Sequence, residues 1–320
     1  MIKTLLKIFL LFTILVTFFS LPAVAGKKEK VPKPVGPVFS SNGGVYPVGK
    51  YGVVLKHLSI KKDQLYDGTD EKHFVRPKKK KQKKIYEKSI HKTQVIVRAG
   101  VLKNFDARLV IPYFDKNIKI ATSKKNISKS NSGIGDIKLI GRYRILSQKD
   151  SPISLAVGLG ISLPTGNSND KYRGKTLPGF LQIGSGSFDP IFEIGAHKIM
   201  DRHWISSHLM YVMTTKGKLG DRDFERPDVF KYNVAYGFAF SKKFDVGIEL
   251  NGIIKTRAEL DGVIKDNTGG HSVFLTPGIH FKFARGMHFD ICTPIAVYHN
   301  LNGPQLAEEY QIAAKLAFKF

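Results

Sequence analysis

Cysteine is almost absent from the chain, which has a single cysteine, Cys292, in 320 residues. One cysteine cannot form an intramolecular disulfide, and it cannot build a zinc site that needs several thiolates. Histidines offer no alternative metal set, because His203 and His208 are separated by an odd number of residues and would face opposite sides of a strand. The sequence therefore predicts neither a metal site nor a cofactor.

Acidic residues are scarce relative to basic ones, with 26 Asp and Glu against 51 Lys and Arg and a formal net charge of +25. The densest basic run is 76–84, Arg-Pro-Lys-Lys-Lys-Lys-Gln-Lys-Lys. Such a run could bind phosphates of nucleic acid. In an exported chain a solvated surface loop is favoured instead, with attraction to anionic head groups or sugars of the outer leaflet as a third interpretation. We predict no nucleic-acid partner.

Long hydrophobic runs are missing beyond the N-terminal region. Residues 1–25 combine a head with two lysines, an apolar run and the small-residue sequence Ala-Val-Ala, which predicts a cleaved secretory signal peptide rather than a membrane anchor. No later segment has about 18 consecutive apolar residues, so no transmembrane helix is predicted. Residues 26–46 are rich in Pro, Lys and Gly without periodicity. They predict a flexible periplasmic lead-in.

Strict alternation of side chains is present instead, most clearly over 229–240 and 244–254. Large apolar residues occupy every second position, and small or polar residues lie between them. Each run therefore forms a β-strand with one apolar face. The polar face carries charges, and no amphipathic helix follows that could cover the apolar face. This combination is typical of a transmembrane barrel strand, which needs about 9–11 residues, apolar outward and polar inward.

Further runs of this kind extend over residues 47–320, and connections between them are alternately long and short. The runs are 48–60, 89–98, 105–114, 136–146, 153–163, 188–199, 204–214, 229–240, 244–254, 272–283, 288–298 and 311–320. Short periplasmic turns and longer extracellular loops are the pattern of outer-membrane barrels. We therefore predict an all-β, antiparallel up-and-down transmembrane barrel of about 12 strands, in contact with outer-membrane lipid. Its last strand, which ends at Phe320, is expected to engage the barrel-assembly machinery.

Several Gly-rich segments beside the predicted strands resemble a known family. They are 133–139 (Gly-Ile-Gly-Asp-Ile-Lys-Leu), 142–144 (Arg-Tyr-Arg), 161–166 (Ile-Ser-Leu-Pro-Thr-Gly), 183–187 (Ile-Gly-Ser-Gly-Ser) and 297–306 (Val-Tyr-His-Asn-Leu-Asn-Gly-Pro-Gln-Leu). In this order they resemble bacterial outer-membrane proteins named for the meta-cleavage pathway of phenol degradation. The resemblance covers roughly residues 49–320. It implies an outer-membrane barrel that passes small molecules, with no established catalytic or ligand residues to carry over.

Charged side chains at inward positions form the candidate lumen lining. They are Lys138, Arg142, Arg144, Glu193, Lys231, Glu249, Lys282 and Lys315. Buried charges persist only when they are paired or hydrated, so the set predicts either a water-filled pore or a cross-linked interior. Because basic residues are in excess, we expect a mild anion preference, to which Arg142 and Arg144 contribute.

Three functions fit these observations. The first is a channel for small solutes, aromatic or weakly anionic, in the cell outer membrane. The second is a non-transporting surface barrel whose basic extracellular loops bind a partner or polysaccharide. The third is an outer-membrane lipid hydrolase built on Ser206 and His208, which lacks a recognisable orienting group in the sequence. The first is favoured, and no catalytic residue is assigned.

Overall fold

The computed structural model describes residues 34–79 and 81–320. The predicted signal peptide, 1–25, and the first part of the predicted lead-in lie outside these residues. Within the described ranges, no helix is long and apolar enough to cross a membrane.

Twelve antiparallel strands form the wall of a closed barrel. They are β1 (Tyr51–Lys62), β2 (Lys84–Leu102), β3 (Phe105–Ala121), β4 (Lys138–Leu146), β5 (Ser154–Ser162), β6 (Asp189–Met200), β7 (His203–Val212), β8 (Val229–Phe238), β9 (Phe244–Lys255), β10 (Gly270–Ala284), β11 (Met287–Cys292 and Ile295–Ala307) and β12 (Gln311–Lys319). Each strand pairs with its neighbour in sequence, and β1 also pairs with β12, where Lys56 lies opposite Lys315. Closure leaves no sheet edge in the wall, as hydrocarbon requires. The predicted fold is confirmed.

The two faces of the wall differ in the way that the alternation predicts. In β9, Ile248 and Leu250 are exposed on the outside, whereas Asp245 and Glu249 are buried inside. Outward apolar side chains match the acyl chains of a bilayer, and inward polar ones are paired or hydrated in the interior.

The periplasmic turns are tight because their residues accept unusual backbone angles. Asn104, Asp201 and Gly286 all have positive φ, at 66°, 50° and 77°. Two-residue hairpin turns need such angles, and Asn, Asp and Gly adopt them at the lowest cost. The short connections predicted from the sequence therefore have a local cause.

The extracellular side contains more strand than the sequence indicates. The predicted long loop 115–135 is mostly a hairpin, in which β3 continues to Ala121 and pairs with a further strand, Asn126–Ile134. The predicted loop 299–310 is also wrong in part, because β11 continues to Ala307. These extensions project beyond the bilayer, where the outer face meets water and needs no apolar residues, while Ile118 on the inner face packs against Leu177 and Leu181.

Short strands also organise the remaining extracellular loops. One group of four, Lys216–Leu219, Arg222–Glu225, Ala258–Leu260 and Val263–Lys265, forms a separate sheet. Two small hairpins complete the set: Gln64–Gly68 with Asp70–Lys72, and Lys171–Tyr172 with Lys175–Thr176.

Candidate functional site: the bore of the barrel

Residues 34–46, here called the plug, lie inside the barrel. Their backbone amides donate to carboxylates of the inner wall: Val38 N to Glu249 Oε1 at 2.6 Å, and Tyr46 N to Asp106 Oδ2 at 2.8 Å. Residues 34–46 of the predicted lead-in 26–46 therefore lie against the inner wall. Composition suggested flexibility, but the binding groups belong to distant strands.

Carbonyl oxygens of the plug are bound by basic side chains of the wall. Lys315 Nζ donates to Pro37 O at 3.2 Å, and Arg142 Nη1 donates to Gly44 O at 2.9 Å. Arg142 Nη2 also donates to Asn42 O. A segment with little secondary structure of its own thereby satisfies backbone polar groups that burial would otherwise leave unpaired.

Glycine allows the plug to approach the wall closely. A Cβ on Gly43 would lie 2.1 Å from the Ser154 carbonyl oxygen of β5. A Cβ on Gly195 of β6 would lie 2.9 Å from Asn42 O in the plug. Both positions exclude any larger residue without a backbone shift, so the plug fits directly against this part of the wall.

Ion pairs link the inner wall around the plug. Glu193 accepts from Arg108 Nη2 at 2.5 Å and lies 2.8 Å from Arg142 Nε. Asp290 lies 2.6 Å from Lys315 Nζ and 3.0 Å from His280 Nδ1. Charges buried in this way are stable because each has an opposite partner. The periplasmic half of the bore is therefore cross-linked rather than lined by free charge.

Most of the predicted lumen residues belong to this network. Arg142 and Lys315 bind carboxylates and the plug at once, and Glu249 binds the plug amides. Lys282 pairs with Asp245. Arg144 donates to Asn104 Oδ1 at 2.5 Å, beside a periplasmic turn.

The contribution of Arg142 and Arg144 to anion preference stays a prediction, and the surroundings of Arg142 make its share small. Its side chain is only 1% exposed, and its guanidinium is held between Glu193 and the plug. Its charge is therefore compensated and shielded from the bore. Alternation placed it correctly on the inner face, but partners on other strands decide how much of its charge a solute would meet.

A second set of basic residues lies on the extracellular side of the plug. Lys138 and Lys231, both predicted, are joined there by Lys56 and Lys92 of β1 and β2. These four residues are here called the lysine cluster. Lys231 is exposed within the bore and the other three are half-buried. Among the described residues, no ion pair within 4.0 Å involves any of the four.

Lys56 and Lys92 were missed by sequence reasoning, although a signal existed for each. Lys92 shares the parity of Arg98, a predicted inward residue of the same strand. Lys56 precedes His57, and this polar pair obscured the alternation of β1. The structure resolves that ambiguity, because Lys56 bonds Val38 O of the plug at 3.0 Å, while His57 faces outward beside Thr93.

One acidic group near the extracellular rim is neutralised locally. Glu308 lies between β11 and β12 and pairs with Lys62. Burial alone would raise the pKa of Glu308, but the charge and hydrogen bond of Lys62 lower that pKa below its ordinary value. This carboxylate is therefore ionised and committed to Lys62.

The basic run 76–84 forms part of the first extracellular loop. Arg76 ties this loop to the tip of the neighbouring hairpin, donating to Thr122 O at 3.0 Å and to Asn126 Oδ1 at 2.8 Å. The described lysines of the run are exposed or half-buried and face away from the plug network. Their position agrees with a solvated surface loop.

Ser206 and His208, the pair considered for hydrolysis, face the interior. Both are buried, and Ser206 Oγ has no hydrogen-bond partner among the described residues. His208 Nε2 instead approaches Glu193 at 3.5 Å. A lipid hydrolase would need these groups oriented towards each other and open to lipid, and the structure places them otherwise.

Comparisons with known proteins agree with this architecture. A crystallised outer membrane channel from Pseudomonas putida F1 superposes with a TM-score of 0.63 at 13% identity, over 90% of this chain and 100% of that channel. The NanC and KdgM porins give TM-scores of 0.43 and 0.40, each at 10% identity, over 82% and 84% of this chain and 100% and 99% of the porins. The likeness to the Pseudomonas putida channel shows the fold alone. No curated protein matches this chain. A family model, however, matches residues 91–316, and the chain therefore belongs to the family described as the MetA-pathway of phenol degradation.

Proposed function

We propose that the protein is an outer-membrane channel for small solutes, with a preference for weakly anionic and aromatic ones. The observation that carries this proposal is the contrast along the bore. Charges around the plug are paired, whereas no ion pair within 4.0 Å among the described residues involves the lysine cluster, of which Lys231 is exposed within the bore. A ring of cationic side chains in a partly shielded bore concentrates anions and repels cations.

The channel fold of the structural neighbour and the family match support the same function. They do not distinguish one solute from another. The surface of the bore indicates a class of solute, because cations of the lysine cluster lie beside aromatic rings. Lys92 Nζ lies 5.5 Å from the centroid of Phe114, and Lys56 Nζ lies 4.1 Å from that of Phe39. An anionic solute therefore meets positive charge and apolar surface together.

Planar-bilayer recording of the refolded protein tests this proposal. We expect discrete conductance steps and, in a salt gradient, a reversal potential that favours chloride over potassium. The expected preference is mild, because the carboxylates of the plug network remain in the same bore. A folded barrel without conductance, or one that is cation-selective, would contradict the proposal.

A second prediction concerns location. The predicted signal peptide and the barrel fold together lead us to expect the mature chain in the outer-membrane fraction. We expect the folded barrel to migrate faster than the boiled protein on denaturing gels, because closed barrels resist detergent until heated. Recovery of the protein in the soluble periplasmic fraction would show that the localisation is wrong.

A further inference from the structure

We propose that the lysine cluster is a binding site for small organic anions that carry at least two acidic groups. This inference rests on the proposed channel function, because such a ligand would reach the site through the extracellular mouth. It goes further in assigning a saturable site and a ligand charge, where a channel needs only a favourable field. The cluster draws its residues from four strands, β1, β2, β4 and β8.

Lys92 and Lys231 interact mainly with other lysines. Lys56 and Lys138 interact with carboxylates as well, Lys138 chiefly with Asp189 and Asp136. Lys92 is close enough to Lys231, Lys138 and Lys56 for their charges to repel. Lys231 likewise interacts with Lys138, with Lys56 and with a further lysine, Lys255. Like charges gathered inside a low-dielectric wall are unfavourable unless water or counter-ions compensate them. The cluster is therefore suited to bind an anion and is not a structural ion-pair network.

Nearby carboxylates are already engaged elsewhere. Asp136 and Asp189 approach Lys138. However, Asp136 accepts from Ser185 N at 2.7 Å and Gly166 N at 3.0 Å. Asp189 accepts from Ser187 Oγ at 2.8 Å and Thr215 N at 3.1 Å. The charges of both carboxylates still stabilise the Lys138 ammonium. Repulsion is therefore concentrated at Lys92 and Lys231, whose neighbouring charges are lysines.

Aromatic rings lie beside Lys92 of the cluster and beside two further lysines, Lys116 and Lys88, and they supply apolar surface. The ring of Phe114 carries Lys92 at 5.5 Å and Lys116 at 4.9 Å from its centroid. Lys116 and Lys88 lie 6.0 Å and 5.1 Å from the centroid of Phe180. A cation over a ring face is stabilised without being neutralised. A ligand can therefore meet ammonium groups while its carbon skeleton contacts the rings.

Ligand valence follows from the repulsion within the cluster. A monovalent anion compensates one ammonium group and leaves the others repelling one another. A ligand with two or three acidic groups compensates several at once, and linking the groups in one molecule avoids separate losses of translational entropy. Affinity should therefore rise steeply with the number of carboxylates on the same skeleton.

Calorimetric titration of the detergent-folded barrel tests this at constant ionic strength, with benzene-1,3,5-tricarboxylate and benzoate as probes. We expect one saturable site for the tricarboxylate, with a Kd at least about tenfold lower than that of benzoate. The double variant Lys92→Gln/Lys231→Gln should weaken tricarboxylate binding about tenfold or more. The charge-retaining variant Lys92→Arg/Lys231→Arg should still bind it. A matched control, Lys124→Gln/Lys125→Gln, removes two charges from an extracellular turn outside the bore and should bind as the unmodified chain does.

The possible results separate this inference from the channel proposal. Equal affinity for both probes, or equal loss in the bore and control variants, would overturn the lysine site. Binding is measured without current, so a silent barrel that binds the tricarboxylate would contradict only the channel. Heat-modifiable migration of each variant confirms folding. The glutamine variant should fold at least as well as the unmodified chain, since it relieves repulsion.

Discussion

Deleting residues 34–46 should raise the single-channel conductance several-fold. The plug lies between charged side chains of several strands and is hydrogen-bonded to them through its backbone. Its removal exposes the carboxylates and guanidinium groups that now bind its backbone, so water and ions should fill the space. Bilayer recording before and after deletion measures the change.

A milder variant distinguishes loss of the plug from damage to the wall. The substitutions Asp106→Asn and Glu249→Gln weaken the acceptors of the Tyr46 and Val38 amides without shortening the chain. We expect this double variant to flicker between the low conductance of the unmodified protein and the high conductance of the deletion. Unchanged conductance in the deletion would mean that the constriction lies elsewhere, in the extracellular loops.

The barrel itself could be predicted because its constraints are local and periodic. A strand in hydrocarbon must alternate, so residues such as Ile248 and Glu249 reveal their faces in the sequence alone. Turns are equally local, since Asn104 or Asp201 decides the backbone angles of its own hairpin. Strand number and order follow from these two signals.

The contents of the bore could not be predicted in the same way. The plug has no periodicity, and its partners are far away in sequence: Glu249 lies 211 residues from Val38. Alternation places Arg142 and Lys231 on the same inner surface, yet one is paired and shielded and the other is unpaired and open. That difference depends on which side chains meet across the barrel, and a single sequence carries no direct signal for it.

Strand extensions beyond the membrane were missed for a related reason. Above the bilayer the outer face of a hairpin meets water instead of lipid, so its residues need not be apolar. Segments such as Asn126–Ile134 are rich in serine and asparagine and read as loop, although they pair regularly with β3. Backbone hydrogen bonds, rather than side-chain pattern, define these strands.

An adjacent pair of arginine substitutions should separate the two faces of the wall with the largest effect on stability. Val95 of β2 is exposed on the outer surface, and Gln94 beside it faces the bore opposite Lys56. Val95→Arg places a charge in the hydrocarbon and should cost about 2–4 kcal/mol if this position lies near the bilayer midplane. Gln94→Arg adds a charge to a hydrated interior, where repulsion from Lys56 should cost about 1 kcal/mol or less.

Urea-dependent folding into lipid vesicles measures both free energies under identical conditions. Because the substitutions introduce the same side chain at the same depth, membrane position and arginine propensity cancel in the comparison. The difference therefore reports only which side of the wall the residue faces. Val95→Met, which keeps a long apolar side chain on the outer face, controls for the change of shape and should cost less than about 1.5 kcal/mol. Equal destabilisation by Val95→Arg and Gln94→Arg would contradict a water-filled bore at this level. It would indicate instead that the space around the lysine cluster is closed to solvent, and both the channel and its anion site would then lose their physical basis.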